Sequence, residues 1–143
     1  MKPFFLATAL LVAIGGGAAS AGCLHAGGVY VDASGHRNQV TVNDYAACSY
    51  LSARIRGNYN AIDASQYGYD LAQVIDVHGR SVYVATNVTG AHSDVGIFSS
   101  ANHGGVDLDL DGIDTDVAII QNRNGATADV TWRGNGGRLS INQ

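Results

Sequence analysis

Apolar residues recur along this chain at an interval of about eleven residues, from Gly27 to Gln143. Eleven segments can be placed by hand, with starts at Gly27, Asn38, Ser49, Asn60, Asp70, Ser81, Ser93, Gly104, Thr115, Ala126 and Gly137. Counting each start as offset zero, offsets two and four are apolar in every segment if Tyr83 is included. The placement needs one short interval, before Asp70, and one long interval, after Ser81. A repeat of this kind takes precedence over other fold signals.

The repeat predicts an all-β fold. Apolar and polar residues alternate within each segment, which is typical of a half-buried strand. Glycines recur at offsets eight and nine, where a tight turn needs a positive φ. Strands and turns of constant length predict a β-solenoid of strand–turn–strand rungs, about 11 residues per strand and turn and about 22 per rung. Two sheets then face each other across a thin core lined by offsets two and four, which include Ala72, Val74, Tyr83 and Ala85.

The N-terminus has the pattern of a secretory signal. Lys2 provides the positive region, residues 4–14 form an apolar stretch, and Ala19-Ser20-Ala21 is a cleavage site. We therefore predict a signal peptide over 1–21, a short N-terminal segment over 22–26, and one repeat region over 27–143 in a secreted protein. The apolar stretch is too short to span a bilayer. A lipoprotein with Cys23 as its anchor is the alternative, but Ser20 is not the large aliphatic residue expected three positions earlier.

Charge and cysteine content limit the partners and the compartment. The formal net charge is −4, and the eight basic residues do not cluster. Nucleic acid is therefore not an expected partner, and neither is an anionic membrane surface or membrane insertion. Cys23 and Cys48 fall in turns at the same end of adjacent predicted rungs, which favours a disulfide in an oxidising compartment. Two unpaired cysteines are the alternative.

The predicted ends of the array indicate self-association. Soluble repeat proteins carry polar capping units, and the repeat pattern reaches Gln143 without one. Terminal rungs without caps expose unpaired backbone groups that act as a template for another chain. We expect end-to-end polymerisation into a cross-β fibre.

The repeat resembles that of the curlin family, the subunits of bacterial curli fibres, whose pattern is S-x5-Q-x-G-x-G-N-x-A-x3-Q. Ser49, Gly57, Asn60 and Gln66 fit this pattern, while Ile55, Tyr59 and Ile62 replace its first Gln, second Gly and Ala. A second partial match is formed by Thr115, Gln121, Gly125 and Ala128.

The resemblance implies a secreted amyloid fibre subunit at the cell surface, with a role in adhesion and biofilm matrix. It implies three kinds of partner: further copies of the chain, other curlin-like subunits, and an outer-membrane curli secretion channel. It also implies that certain amides act as stacking ladder positions along the fibre: Asn38, Asn60, Gln66, Gln121 and Gln143.

A weak calcium motif is present in the acidic segment. Asp107, Asp109 and Asp111 followed by Gly112 resemble the start of a calcium loop, but Ala118 stands where a bidentate Glu is required. The alternative is a set of outward charges that oppose lateral association. A calcium-dependent adhesin is therefore one alternative function. A soluble β-solenoid binding module is the other.

The sequence gives little indication of a catalytic site, a cofactor site or a zinc site. No catalytic motif is present, Glu is absent, and a thin core offers no pocket, so neither enzyme activity nor a cofactor is expected. The histidines all fall in predicted turns, which favours solvated side chains: His25, His36, His78, His92 and His103. His78 and His103 lie at one rung end and allow a surface metal contact, but no third zinc ligand accompanies them.

Overall fold

The computed structural model describes residues 28–45, 48–122 and 125–143, and within these ranges every regular element is a β-strand. The strands are β1 (Gly28–Ser34), β2 (Arg37–Asp44), β3 (Ser49–Arg56), β4 (Tyr59–Gln121) and β5 (Thr127–Asn142). β4 continues for 63 residues and passes through several corners. The predicted signal peptide and the 22–26 segment lie outside the described residues. In the described ranges no helix has the length and apolar character needed to cross a membrane.

All strand pairing is parallel, with partners 22 residues apart. Gly28 pairs with Tyr50 and Ser49 with Leu71, while Arg37 pairs with Tyr59. Between β4 and β5 the same offset joins Gly105 to Thr127. A constant offset of one rung means that the chain winds as a β-solenoid of about five turns, which confirms the predicted fold class.

Each rung contributes one strand segment to each of two stacks. The first stack contains segments 28–34, 49–56, 71–78, 93–100, 115–121 and 137–142. The second stack contains segments 37–44, 59–66, 81–88, 103–110 and 127–133. We use these two names below.

The core lies between the two stacks and is wider than predicted. In the described segments after the first, four residues point inward, at offsets zero, two, four and six, where only two were predicted. Thr115 and Leu110, each 1% exposed, illustrate the additional inward offsets, zero and six. The largest fully buried apolar side chains are Leu51, Ile55, Ile62, Ile75, Ile97, Leu108, Leu110 and Ile119. They are aliphatic because two sheets leave space for only one layer of such side chains from each side.

The predicted register is wrong in two segments. The buried residues there are Leu71, Gln73, Ile75 and Val77, followed by Val82, Val84, Thr86 and Val88. Ala72, Val74, Tyr83 and Ala85, which were expected in the core, instead alternate with them on the outer surface. The segments thus start at Leu71 and Val82, and the interval is eleven residues throughout. A slip of one residue turns every side chain to the other face, so the fixed parallel pairing decides the register.

The corner glycines are needed mainly because successive rungs approach closely. In the corrected register they all stand at offset eight: Gly35, Gly57, Gly68, Gly79, Gly90, Gly112 and Gly134. The predicted positive φ occurs only at Gly35 and Gly134 among these seven. A Cβ on Gly57 would lie 2.0 Å from the Gly35 carbonyl oxygen, and one on Gly112 would lie 2.2 Å from that of Gly90. Any other side chain would push the rungs apart.

Left-handed backbone occurs in a second column at the corner where second-stack segments lead into first-stack segments. Asp70, His92 and Asp114 have φ values of 52°, 55° and 54°. Gly136, with φ 81°, continues the column. Asp and His are among the residues that most often adopt this conformation without glycine's freedom. The chain therefore turns this corner in the same way in successive rungs.

Candidate assembly surface

The C-terminal rung leaves part of the core exposed. β5 pairs with β4 along one edge, and no described strand pairs with its other edge. Leu139 and Ile141 point toward the core column, yet each is 43% exposed. One rung earlier in the same columns, Val117 and Ile119 are only 4% and 0% exposed. The inward side chains of β5 thus form an apolar strip at this end, which we call the terminal strip: Ala128, Val130, Trp132, Leu139 and Ile141.

The N-terminal rung differs from the C-terminal rung. β1 pairs with β3 and β2 pairs with β4, and the described residues provide no strand on the outer edge of either. Its inward side chains are nevertheless buried, with Val29 at 8% and Val40 at 2% exposure. The two ends of the described solenoid are therefore unlike in their apolar exposure, although both have strands with a single partner.

Two predicted ladder residues, Asn38 and Asn60, lie in one column and act on the backbone. Asn38 Nδ2 donates to the carbonyl oxygen of Arg56 at 2.9 Å, and Asn60 Nδ2 donates to that of His78 at 3.3 Å. Each amide thereby binds the corner carbonyl that ends the next first-stack segment. Both side chains are buried, and Asn60 Oδ1 has no hydrogen-bond partner. These asparagines stabilise the corner rather than bonding to each other.

Gln66 belongs to a buried polar cluster with Asp44 and Ser49. Its Nε2 donates a hydrogen bond of 2.8 Å to Ser49 Oγ. Ser49 Oγ in turn donates to Asp44 Oδ2. Asp44 and Gln66 are register partners in adjacent rungs, and Ser49 faces them from the first stack. The Ser and the Gln of the repeat pattern therefore contact each other inside the rung.

Gln121 and Gln143 are successive members of another column. Gln121 is buried, and its Nε2 donates to the carbonyl oxygen of Thr127 at 3.1 Å across a corner. Gln143 is exposed at the C-terminal rung. The five predicted ladder residues thus fall in three columns, and only two of these columns contain a pair.

The acidic segment runs along an extended strand. Asp107, Asp109 and Asp111 alternate with the buried Leu108 and Leu110, which places the carboxylates on the outer surface. Asp109 Oδ2 lies 3.7 Å from a guanidinium nitrogen of Arg133. The described residues contain no group of three or more His, Cys, Asp or Glu side chains arranged to hold a metal ion. The calcium site stays a prediction of the sequence pattern alone.

Three of the histidines contact neighbouring rungs or residues at the corners. His78 Nε2 lies 3.0 Å from Asp76 Oδ1, and the other oxygen of Asp76 lies 3.5 Å from Arg54 Nε. His92 Nδ1 lies 3.8 Å from Asp114 Oδ2 in the following rung. The His36 ring lies 3.2 Å from Asn58 Nδ2. His78, His92 and His103 are exposed, while His25 lies outside the described residues.

The predicted disulfide joins a described residue to one that is not. Cys48 is buried, with 6% exposure, at the corner that precedes Ser49. Cys23 lies outside the described residues. The Cys23–Cys48 pairing therefore stays a prediction.

Exposed aromatic rings form a feature that the sequence analysis missed. Tyr45 and Tyr67 stack in adjacent rungs with their ring centroids 5.0 Å apart and their planes 5° from parallel. The guanidinium of Arg37 lies 5.9 Å from the Tyr59 ring centroid. Tyr59 and Tyr83 help line a groove of about 730 Å³ on the outer surface of the second stack. The sequence contained the information needed to predict this stacking, because Tyr45 and Tyr67 are 22 residues apart, which is the length of one rung.

Comparison of the chain with protein-family models, with curated proteins and with solved structures gives no match. The geometry of the described solenoid and the resemblance of its repeat are therefore the observations that bear on function.

Proposed function

We propose that this chain is a secreted subunit of a curli-like amyloid fibre that polymerises outside the cell and contributes to adhesion and biofilm matrix. The observation that carries the proposal is the terminal strip on β5. Leu139 and Ile141 are 43% exposed at core positions, on a strand whose second edge pairs with no described strand. Fully burying an aliphatic side chain of this size stabilises by about 1.5–3 kcal/mol. A further rung added at this edge gains that burial and satisfies the exposed backbone groups.

The contact needed for polymerisation is the one that already joins rungs within the molecule. Parallel strands stacked in register, with like columns of side chains, have the arrangement of a cross-β fibre. Adding a copy extends a hydrogen-bonded ladder without a new type of interface. The fibre proposal thus requires no change of fold in the described rungs.

The resemblance to curlins is supported by the placement of two pattern residues. Ser49 and Gln66 are hydrogen-bonded inside the rung, so their spacing in the pattern has a structural reason. By this resemblance we propose an outer-membrane curli secretion channel as the export partner, and other curlin-like subunits as fibre partners.

The test is seeded growth of the processed chain. We expect thioflavin-positive fibres with a reflection at about 4.7–4.8 Å. Ile141→Asp places a charge in the terminal strip and should suppress elongation, whereas Ser140→Asp, on the outward face of the same strand, should elongate nearly as the unsubstituted chain does. A chain that remains monomeric and dye-negative at high concentration refutes the proposal. Equal elongation by the two variants would show that the terminal strip is not the surface to which further copies add.

A soluble binding module is the second candidate, and the tyrosine groove favours it. Tyr59 and Tyr83 are 52% and 50% exposed in a groove that also contains Arg37. Exposed aromatic faces and a guanidinium suit stacking on a flat ligand such as a sugar ring. A monomer that binds polysaccharide, and loses that binding in Tyr59→Ala and Tyr83→Ala variants, would favour this candidate over the fibre.

A further inference from the structure

Tyr45 and Tyr67 are brought together by the parallel register of the second stack. Each follows directly after a second-stack segment, and the residues before them, Asp44 and Gln66, are register partners. The backbone therefore leaves both segments at the same point, one rung apart, and the two side chains emerge next to each other. Their ring centroids lie 5.0 Å apart with the planes 5° from parallel, which is within the range of favourable aromatic pairs.

This stack is open to solvent and has no counterpart among the described tyrosines. Tyr45 is 59% exposed and Tyr67 is half-buried, so a small molecule in solution reaches both rings. No other two tyrosine rings of the described residues are stacked on each other, and Tyr69 instead meets His92 edge to face, with 81° between the planes. Of the seven tyrosines in the chain, Tyr45 and Tyr67 are therefore the pair arranged for a reaction between two rings.

We propose that Tyr45 and Tyr67 form a site of oxidative modification, at which hydrogen peroxide, acting through a haem peroxidase, joins the two rings as dityrosine. Covalent modification of this kind is compatible with an exposed corner, because neither ring is part of the core between the stacks. The proposal goes beyond the fibre function and does not depend on it, since both rings belong to one molecule.

The reaction balances with one molecule of peroxide. The peroxidase removes one electron and one proton from each phenol, and these reduce hydrogen peroxide to two molecules of water. The two phenoxyl radicals couple through one carbon ortho to each oxygen, which forms a carbon–carbon bond between the rings. Each coupled carbon then loses its hydrogen as a proton, and a proton returns to the oxygen of the same ring. Both rings are phenols again, and the chain has lost two hydrogen atoms.

The stacked geometry favours coupling within this pair. Holding two reacting groups side by side replaces a bimolecular encounter with a step inside one molecule, which is a large kinetic advantage. Parallel register also sets equivalent parts of the two residues beside each other, so the ortho carbons of one ring face those of the other. The remaining distance requires only rotation of two side chains at an exposed corner.

The bond would fasten two adjacent rungs at one corner. It joins residues 22 positions apart, and a cross-link that closes such a loop restricts the unfolded chain. It lies directly after the pairing of β2 with β4, and β2 pairs with no other described strand. The cross-link should therefore stabilise the attachment of β2 to the rest of the solenoid.

Peroxidase treatment of the freshly purified, monomeric processed chain at low concentration tests the site. We expect dityrosine fluorescence in protein that still migrates as a monomer, and a linked pair of proteolytic fragments that contains Tyr45 and Tyr67. Tyr67→Phe keeps the ring but lacks the hydroxyl, and should lose this fluorescence. Tyr59→Phe, outside the stack, is the matched control and should retain it. Equal fluorescence from the two variants, or a monomer without the Tyr45–Tyr67 fragment, overturns the inference.

Urea unfolding tests the consequence of the bond. The cross-linked chain should unfold at a higher urea midpoint than the untreated chain, whereas peroxidase treatment of Tyr67→Phe should leave the midpoint unchanged. Equal midpoints for the cross-linked and untreated chains overturn the stabilising role. Both measurements use the monomer, so their failure leaves the fibre function standing, and absence of fibres leaves the cross-linking result standing.

Discussion

Thr86 donates a hydrogen bond to Gln73 across the core, with 2.6 Å between Thr86 Oγ1 and Gln73 Oε1. The two side chains come from facing stacks of one rung and are only 4% and 1% exposed. They fill positions that are aliphatic in the other described segments. A buried polar residue is tolerated here because its partner occupies the opposite column.

Removing one member of this pair should lower the free energy of unfolding more than removing both. Thr86→Val leaves the Gln73 amide buried with no partner, because Gln73 Nε2 already has none. We expect a loss of about 1–3 kcal/mol in the free energy of unfolding. Gln73→Leu/Thr86→Val should recover most of that loss, since both polar groups are replaced by apolar ones. Denaturant unfolding of the monomer measures the three chains, and a double variant less stable than the single one contradicts the paired role.

Alanine at a stacked corner glycine should destabilise the solenoid strongly. A Cβ on Gly112 would lie 2.2 Å from the Gly90 carbonyl oxygen, so Gly112→Ala must separate two rungs. We expect a loss of about 3 kcal/mol, as for severe overpacking. Gly96→Ala is the control, because its Cβ would make only ordinary van der Waals contacts, 3.5 Å to the Phe98 ring and 3.9 Å to the Gln73 carbonyl oxygen. Urea unfolding should leave the control within about 0.5 kcal/mol of the unsubstituted chain. Similar losses in both variants would contradict the close-approach argument.

Charge substitution at adjacent aliphatic residues checks the corrected register. Ile75 is fully buried and Val74 lies on the outer surface. Ile75→Asp should cost about 3 kcal/mol or more, because it buries an unpaired polar or charged group. Val74→Asp should cost about 1 kcal/mol or less. Circular dichroism during urea unfolding compares the two variants, and the reverse order of stabilities would restore the register with Val74 inward.

Oxidation of the two cysteines should stabilise the N-terminal rungs. A disulfide between Cys23 and Cys48 closes a loop whose cross-link is worth roughly 3 kcal/mol. Peptide mapping without reductant should recover the two cysteines in one linked fragment, and reductant should lower the unfolding midpoint. The Cys23→Ser/Cys48→Ser variant should be insensitive to reductant. Full alkylation of both thiols in unreduced protein would exclude the pairing.

The fold class was predictable because the repeat constrains it at many positions. Alternation within segments and a constant interval leave little choice but stacked strands. The register of two segments was not predictable from apolar content, because Gln73 and Thr86 interrupt the columns and the neighbouring Val74 and Ala85 offer an apolar alternative. The corner glycines contained the missing information: a strict interval places Gly79 and Gly90 at the same offset as the other five, and the chosen register did not.

The candidate assembly surface was predictable only in part. Unpaired strand edges followed from the repeat, but the exposure of Leu139 and Ile141 depends on how far the last rung is covered, which only coordinates reveal. The hydrogen-bond partners of the amide side chains were also not predictable from the sequence. Asn38 and Gln66 look equivalent as ladder residues in sequence, yet one binds a corner carbonyl and the other a serine hydroxyl, because they lie at opposite ends of the rung.

The unvarying partner offset of 22 residues gives this molecule a simple way to change size. Duplicating or deleting one whole coil in frame leaves every remaining pair with a partner of the same kind, so longer and shorter descendants can fold alike. Gaining or losing half a coil instead moves every later segment to the opposite sheet, so that the last strand lies on the other side of the core.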